Sequence, residues 1–162
     1  MKLLRKHKGQ FLFGIEKREK DLLFQVLQLY PLVPPSRHQL SKTEEGPAHD
    51  ENQRLLEESL AEQRRRNRRQ VVAMLEEPGR FRETEHDFRL SLSAVQVEWL
   101  LQVFNDVRVG AWLALGEPEE LQLPEITKTN APYILAMEGA GYFESVLLDA
   151  LGIRNPPGIE EE

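Results

Sequence analysis

The stretch SAVQVEWLLQVFNDVRVGAWLAL, residues 93–115, decides how this chain folds. Ser93 followed by Gln96 fits a capping box, in which the serine hydroxyl accepts from a free backbone amide and the glutamine reaches back to the cap's own amide. A helix is therefore expected to start here. Val95, Trp99, Leu100, Val103, Phe104, Val107, Ala111, Trp112, Ala114 and Leu115 leave only a narrow polar strip around Glu98, Gln102 and Asn105. A helix apolar on so much of its circumference must be covered on several sides, so it is expected to be a buried central helix carrying both tryptophans. Gly116 stands where a left-handed, helix-ending residue belongs, and Pro118 follows it.

Working outward, residues 2–15 read as an antiparallel hairpin, because Phe11, Phe13 and Ile15 recur at period two and Lys8-Gly9 offers the turn. Two strands alone are marginal. Phe88, Leu90 and Leu92 alternate with Arg89 and Ser91, so residues 88–92 are a candidate third strand. Between these, Leu22, Leu23, Val26, Leu27 and Tyr30 repeat at helical spacing and Pro31 ends the run. A second helix is expected from about Asp50 to Leu75, with Leu56, Leu60, Asn67, Val71 and Leu75 facing inward and Pro78-Gly79 stopping it. Asn130 is placed to cap a last helix that runs to about Leu151, before Gly152 and Pro156-Pro157.

The expected class is thus mainly α: a helical bundle around the buried central helix, with a small N-terminal hairpin and the candidate strand at 88–92. Residues 1–155 form one domain in this reading. The Pro-, Ser- and Thr-rich segment 34–48 reads as a mobile loop and 156–162 as a disordered acidic tail.

The chain of 162 residues has no cysteine, which excludes disulfides, thiolate metal ligation and a thiol nucleophile within it. A formal charge of -6 disfavours indiscriminate binding to nucleic acid or anionic lipid. The basic start at Lys2, Arg5, Lys6 and Lys8 leads into no long apolar run, so a cytoplasmic location is expected, with no membrane partner. Arg64, Arg65, Arg66, Arg68 and Arg69 are the strongest functional lure, since each guanidinium is able to clamp a phosphate. Six consecutive helical residues, however, spread around the whole circumference rather than forming one basic face, and Glu62 lies one turn before Arg65 and Arg66.

Asn67, Asn105, Asp106 and Arg108 are read as buried structural polar residues. Asp106 and Arg108 point in different directions, so each needs a partner on another element. Glu83, Glu85, His86 and Asp87 hold metal-ligating atoms but lack a second ligand pair at recognisable spacing, so no metal and no cofactor is expected. Gly139-Ala140-Gly141 falls inside a helix, where it reads as packing rather than phosphate binding. Gly110, Ala111 and Ala114 are expected to meet Ala136, Gly139 and Ala140; a ligand slot between those helices is the alternative.

With these elements placed, the chain resembles an uncharacterised bacterial family best populated in actinobacteria, whose genes often lie beside that of the Clp protease adaptor. The likeness spans most of residues 2–151. It is carried by the basic start leading into Phe11-Leu12-Phe13, by Asn67 before Val71 and Leu75, by Trp99-Leu100 through Asn105-Asp106-Val107-Arg108, and by Tyr142-Phe143-Glu144-Ser145. Some relatives are described as oxidative-stress regulators working with the transcription machinery. Those rely on cysteine, which this chain lacks, so the resemblance implies regulation without thiol sensing and transfers no catalytic residue. The expected function is a non-enzymatic regulatory or adaptor module that binds another protein. The alternatives are a transcription-linked module with Arg64–Arg69 on DNA and an enzyme built on a deep pocket at Asp106 or Arg108.

Overall fold

A computed structural model describes residues 1–32, 46–119 and 122–153. Strands β1 (Lys2–His7) and β2 (Gln10–Ile15) form the hairpin. Lys8 and Gly9 both take positive φ, 47° and 74°, the pair of left-handed residues that a two-residue turn between twisted strands requires. Helix α1 (Lys17–Gln28) follows, capped reciprocally by Glu16 and Glu19, and α2 (Pro47–Glu76) comes next. Then β3 (Phe81–Glu83), β4 (Phe88–Ser93), α3 (Ala94–Ala114) and α4 (Ala131–Leu151) complete the order. The fold is mainly α-helical with a small antiparallel sheet.

The sheet has four strands in the order β1-β2-β4-β3. Phe11 pairs with Leu92 and Phe13 with Leu90, so the period-two apolar residues of both strands share one face. That face joins Leu23, Val26 and Leu27 of α1, Val97 to Ala111 of α3 and Ala136 to Ala150 of α4 in one core. Segment 88–92 does extend the hairpin, as expected. The short strand β3 was not expected, because three residues, only one of them apolar, carry no period to read.

The capping box at the start of α3 is present: the Gln96 amide donates to Ser93 Oγ at 3.2 Å, and the Ser93 amide donates to Gln96 Oε1 at 2.9 Å. At its other end Gly116, at φ 84°, donates to the Leu113 carbonyl while Glu117 donates to that of Trp112, a left-handed stop that turns the chain back over the helix. Phe104 stacks on Phe143 of α4 with ring centroids 5.6 Å apart, and both rings are fully buried.

Several features of the fold differ from expectation. The central helix is not enclosed: Trp112 is 38% exposed, Val109 is open beside it, and Trp99 is only partly buried. The sheet, α1 and α4 cover one side of α3, and an apolar surface that runs right round a helix outlasts that cover. Helix α2 starts at Pro47 rather than Asp50, so Pro47 and Ala48 are helical; residues 34–45 of the expected loop, and the expected tail at 156–162, lie outside the described residues. Asn130 occupies the cap position of α4, but its Oδ1 accepts from the Thr127 amide at 2.8 Å, tightening the preceding turn instead of capping the helix. Gly139 faces α1: a Cβ built there would lie 2.8 Å from Val26 Cγ2 and 3.2 Å from Leu22 Cδ1. Close backbone approach explains this glycine, but the neighbour is α1 rather than the small-residue patch of α3. Among the described residues, no helix is long and apolar enough to cross a membrane.

Candidate functional site

Exposed and half-buried residues of α3 and α4, with the segment that follows α3, form an open groove of about 650 Å³. Helical spacing builds its walls. Arg108, Val109 and Trp112 fall on one stripe of α3, and Met137, Gly141 and Ser145 fall on one stripe of α4 with Glu138 and Tyr142 beside them. The third wall is the segment after α3, bent back by Gly116 and Glu117 so that Pro118, Glu119 and Leu123 stand over the indole. Trp112 Nε1 donates to the Pro118 carbonyl at 3.0 Å, which fixes the ring while leaving its face open. Gly141 forms floor: a Cβ there would meet nothing closer than Arg108 Cδ at 4.0 Å.

Polar groups are few and set at the margins. Arg108 reaches across to α4, its Nε 3.3 Å from Glu144 Oε2, and donates through Nη2 to Asn105 Oδ1 at 3.3 Å. Glu119 and Glu138 are exposed at the rim. Tyr142 packs edge-on against Phe143 with centroids 5.1 Å apart, and its hydroxyl donates to Glu19 of α1, which also pairs with the Met1 amino group. Burial first, and the negative charge of Glu16 second, push the Tyr142 phenol above its ordinary range. The groove is chemically a receptor for apolar side chains with a polar margin.

A second cluster holds most of the polar residues singled out from the sequence. Tyr30, just past α1, is 1% exposed, and its hydroxyl accepts from Asn67 Nδ2 of α2 at 3.3 Å and bonds Asp106 of α3. Arg68 donates to the Tyr30 carbonyl. Burial is the main cause that raises the Tyr30 phenol above its ordinary value; the Asn67 hydrogen bond opposes it, and the charge of Asp106 adds to it. One tyrosine thus ties α1, α2 and α3 together, and α2 needs this tie because its buried residues are only Val71 and Met74.

The expected site residues therefore divide. Asn67 and Asp106 converge on Tyr30, half-buried, whereas Asn105 and Arg108 are exposed and belong to the groove margin, so burial is not what these two share. Asp106 and Arg108 do find partners on other elements, Tyr30 and Glu144. Of the arginine run, Arg65 and Arg69 pair with Glu62 at 2.9 and 3.4 Å, Arg68 turns to Tyr30, Arg64 is half-buried and Arg66 is exposed. In the acidic loop Asp87 pairs with Arg89 and accepts from Thr84, and both contacts lower its carboxyl below the usual range. No group of three or more His, Cys, Asp or Glu among the described residues is arranged to hold a metal. The groove residues Trp112, Met137, Tyr142 and Leu123 were not expected to form a site, Trp112 being read as buried; the available signal was that α3 is too apolar all round for its neighbours to cover.

Comparison with known proteins found no matching family model, no matching curated protein and no matching solved structure.

Proposed function

We propose that this chain is a non-enzymatic regulatory or adaptor module of the cytoplasm that holds another protein through the groove between α3 and α4. The observation that carries this reading is the pair of open aromatic side chains, Trp112 and Tyr142, set beside Val109, Leu123 and Met137 over a glycine floor. Large apolar side chains left open together mark interaction surfaces, and aromatic residues at the centre of such surfaces carry a disproportionate share of binding energy. The buried Phe104–Phe143 stack joins α3 to α4 and touches Tyr142, a contact that favours a groove formed before its occupant arrives. The resemblance to a family some of whose members are described as regulators points the same way.

Photo-cross-linking tests it. A photoreactive residue at position 109, inside the groove, is expected to trap a defined partner in living cells, while one at position 95, a valine at the far end of the same helix that is more exposed still, at 75% against 38%, traps none. Equal adducts from both positions, or none from 109, would sink the reading. The DNA alternative makes a separate demand: affinity for duplex that falls steeply with salt and is lost when Arg65, Arg66 and Arg69 become glutamine. Pairing of two of those arginines with Glu62 weighs against it.

A further inference from the structure

We infer that the occupant of the α3–α4 groove is a short, basic, amphipathic helix of a partner protein; this rests on the groove being a docking site and adds the chemistry of what docks. Charge is the first argument. Among the described residues, Arg108 is the one cationic group lining the groove and is engaged by Glu144 and Asn105, whereas the rim carboxylates Glu119 and Glu138 pair with no cation. Pro118, Glu119 and Leu123 of the third wall belong to a stretch of sequence, residues 115–126, that has four glutamates and no Lys or Arg. An apolar floor inside an acidic margin complements apolar anchors flanked by Lys or Arg, and like charge across the rim repels an acidic segment.

Shape is the second argument. Two of the three walls are helices, whose backbone amides and carbonyls are already bonded within α3 and α4, so no free strand edge is offered for an extended peptide to pair with. Recognition must therefore pass through side chains. The α4 wall runs from Met137 to Ser145, ~12 Å at the helical rise, which matches about two turns of helix presenting anchors at i, i+4 and i+7.

A randomised 16-residue display library selected against the intact chain asks the question without presuming a sequence. Enriched peptides are expected to carry net positive charge around Leu, Phe, Trp or Met at helical spacing. Their binding should be lost in Val109→Glu and, as an independent groove lesion on the loop wall, in Leu123→Glu, with both variants melting like the parent. The double reversal Glu119→Lys/Glu138→Lys should weaken them by about tenfold and flatten their salt dependence. Groove-dependent peptides that are acidic or neutral, or that ignore the double reversal, would overturn the basic-helix inference and leave the docking reading standing. Peptides indifferent to both groove lesions, or no enrichment, would overturn both. A dimer in sedimentation that Val109→Glu dissociates would overturn the inference by making a second copy of the chain the occupant.

Discussion

Gly139 and Gly141 stand two residues apart on α4 and face opposite worlds. At 139 the missing side chain lets α1 press in, with Val26 and Leu22 where a methyl group would be; at 141 it leaves space, with only the stem of Arg108 at van der Waals distance. The same contrast holds for the two faces of the α3–α4 pair. The inner face is closed by Phe104, Phe143, Leu147 and Val107, all essentially without exposure, and the outer face is open around Trp112 and Tyr142. Both faces carry large apolar side chains. The difference is whether something covers them: the first face serves stability, and the second is the one proposed to bind.

If that division is correct, the largest loss should come from the closed side. Phe143→Ala empties a ring stacked against Phe104 and should cost about 3–5 kcal/mol in denaturant unfolding, while Val109→Glu on the open side should stay within about 0.5 kcal/mol of the parent. Comparable losses from both would break the contrast. Gly139→Ala comes next. A methyl 2.8 Å from Val26 Cγ2 forces a stiff, buried, branched side chain to move, and the expected net loss is about 1–2 kcal/mol even though alanine favours helix. Adding Val26→Ala removes the obstacle, so the double variant should lose less than the two single losses combined.

How much of this was legible in the sequence depends on how locally each feature is encoded. The hairpin turn at Lys8-Gly9, the Ser93/Gln96 box and the stops at Gly116 and Gly152 were readable because each is a backbone requirement met by residues a few positions apart. Strand β3 was not, since it exists only as the partner of Arg89 and its neighbours. The fate of Trp112 was not, because apolarity states that a side chain gains from cover and not that cover is supplied. Gly139 was read as a packing residue but set against α3 rather than α1, because which helix lies beside it is a fact of topology. Asn67 and Asp106 were picked out as polar residues in need of partners, but Tyr30, the hub they share, looked in sequence like one more apolar position on a helix.

That hub gives the contrast a pH dependence. Its phenol titrates above the ordinary value in the folded chain, chiefly because it is buried, so the unfolded chain releases its proton first. The stability linked to it is complete below the unfolded pKa of ~10 and is lost as pH rises toward the raised folded value. Alkaline titration followed by tyrosine absorbance, with stability measured in parallel, should show this decline. Tyr30→Phe should soften the decline and cost about 1 kcal/mol at neutral pH through the lost hydroxyl contacts. Tyr142, also raised by burial but at the edge of the groove, is the comparison: Tyr142→Phe should affect partner capture more than the melting curve. The reverse ranking would mean that the closed and open sides share their load.

The smallest effect separates the two faces most sharply, because its sign differs between them. Gly141→Ala adds a methyl group where the nearest atom is an ordinary 4.0 Å away, so no packing is disturbed. Replacing glycine by alanine within a helix then stabilises by up to ~1 kcal/mol, through the smaller backbone entropy lost on folding. The same methyl raises the floor of the groove under any side chain seated between Trp112 and Met137, so capture from position 109 and binding of selected peptides should weaken while the melting temperature rises. Stability and binding moving in opposite directions on one added carbon is what a floor kept bare for an occupant requires. A Gly141→Ala variant that is more stable and still captures its partner at full strength would show the groove to be an unfilled seam between helices, and the resting place for the partner would have to be sought elsewhere on the molecule.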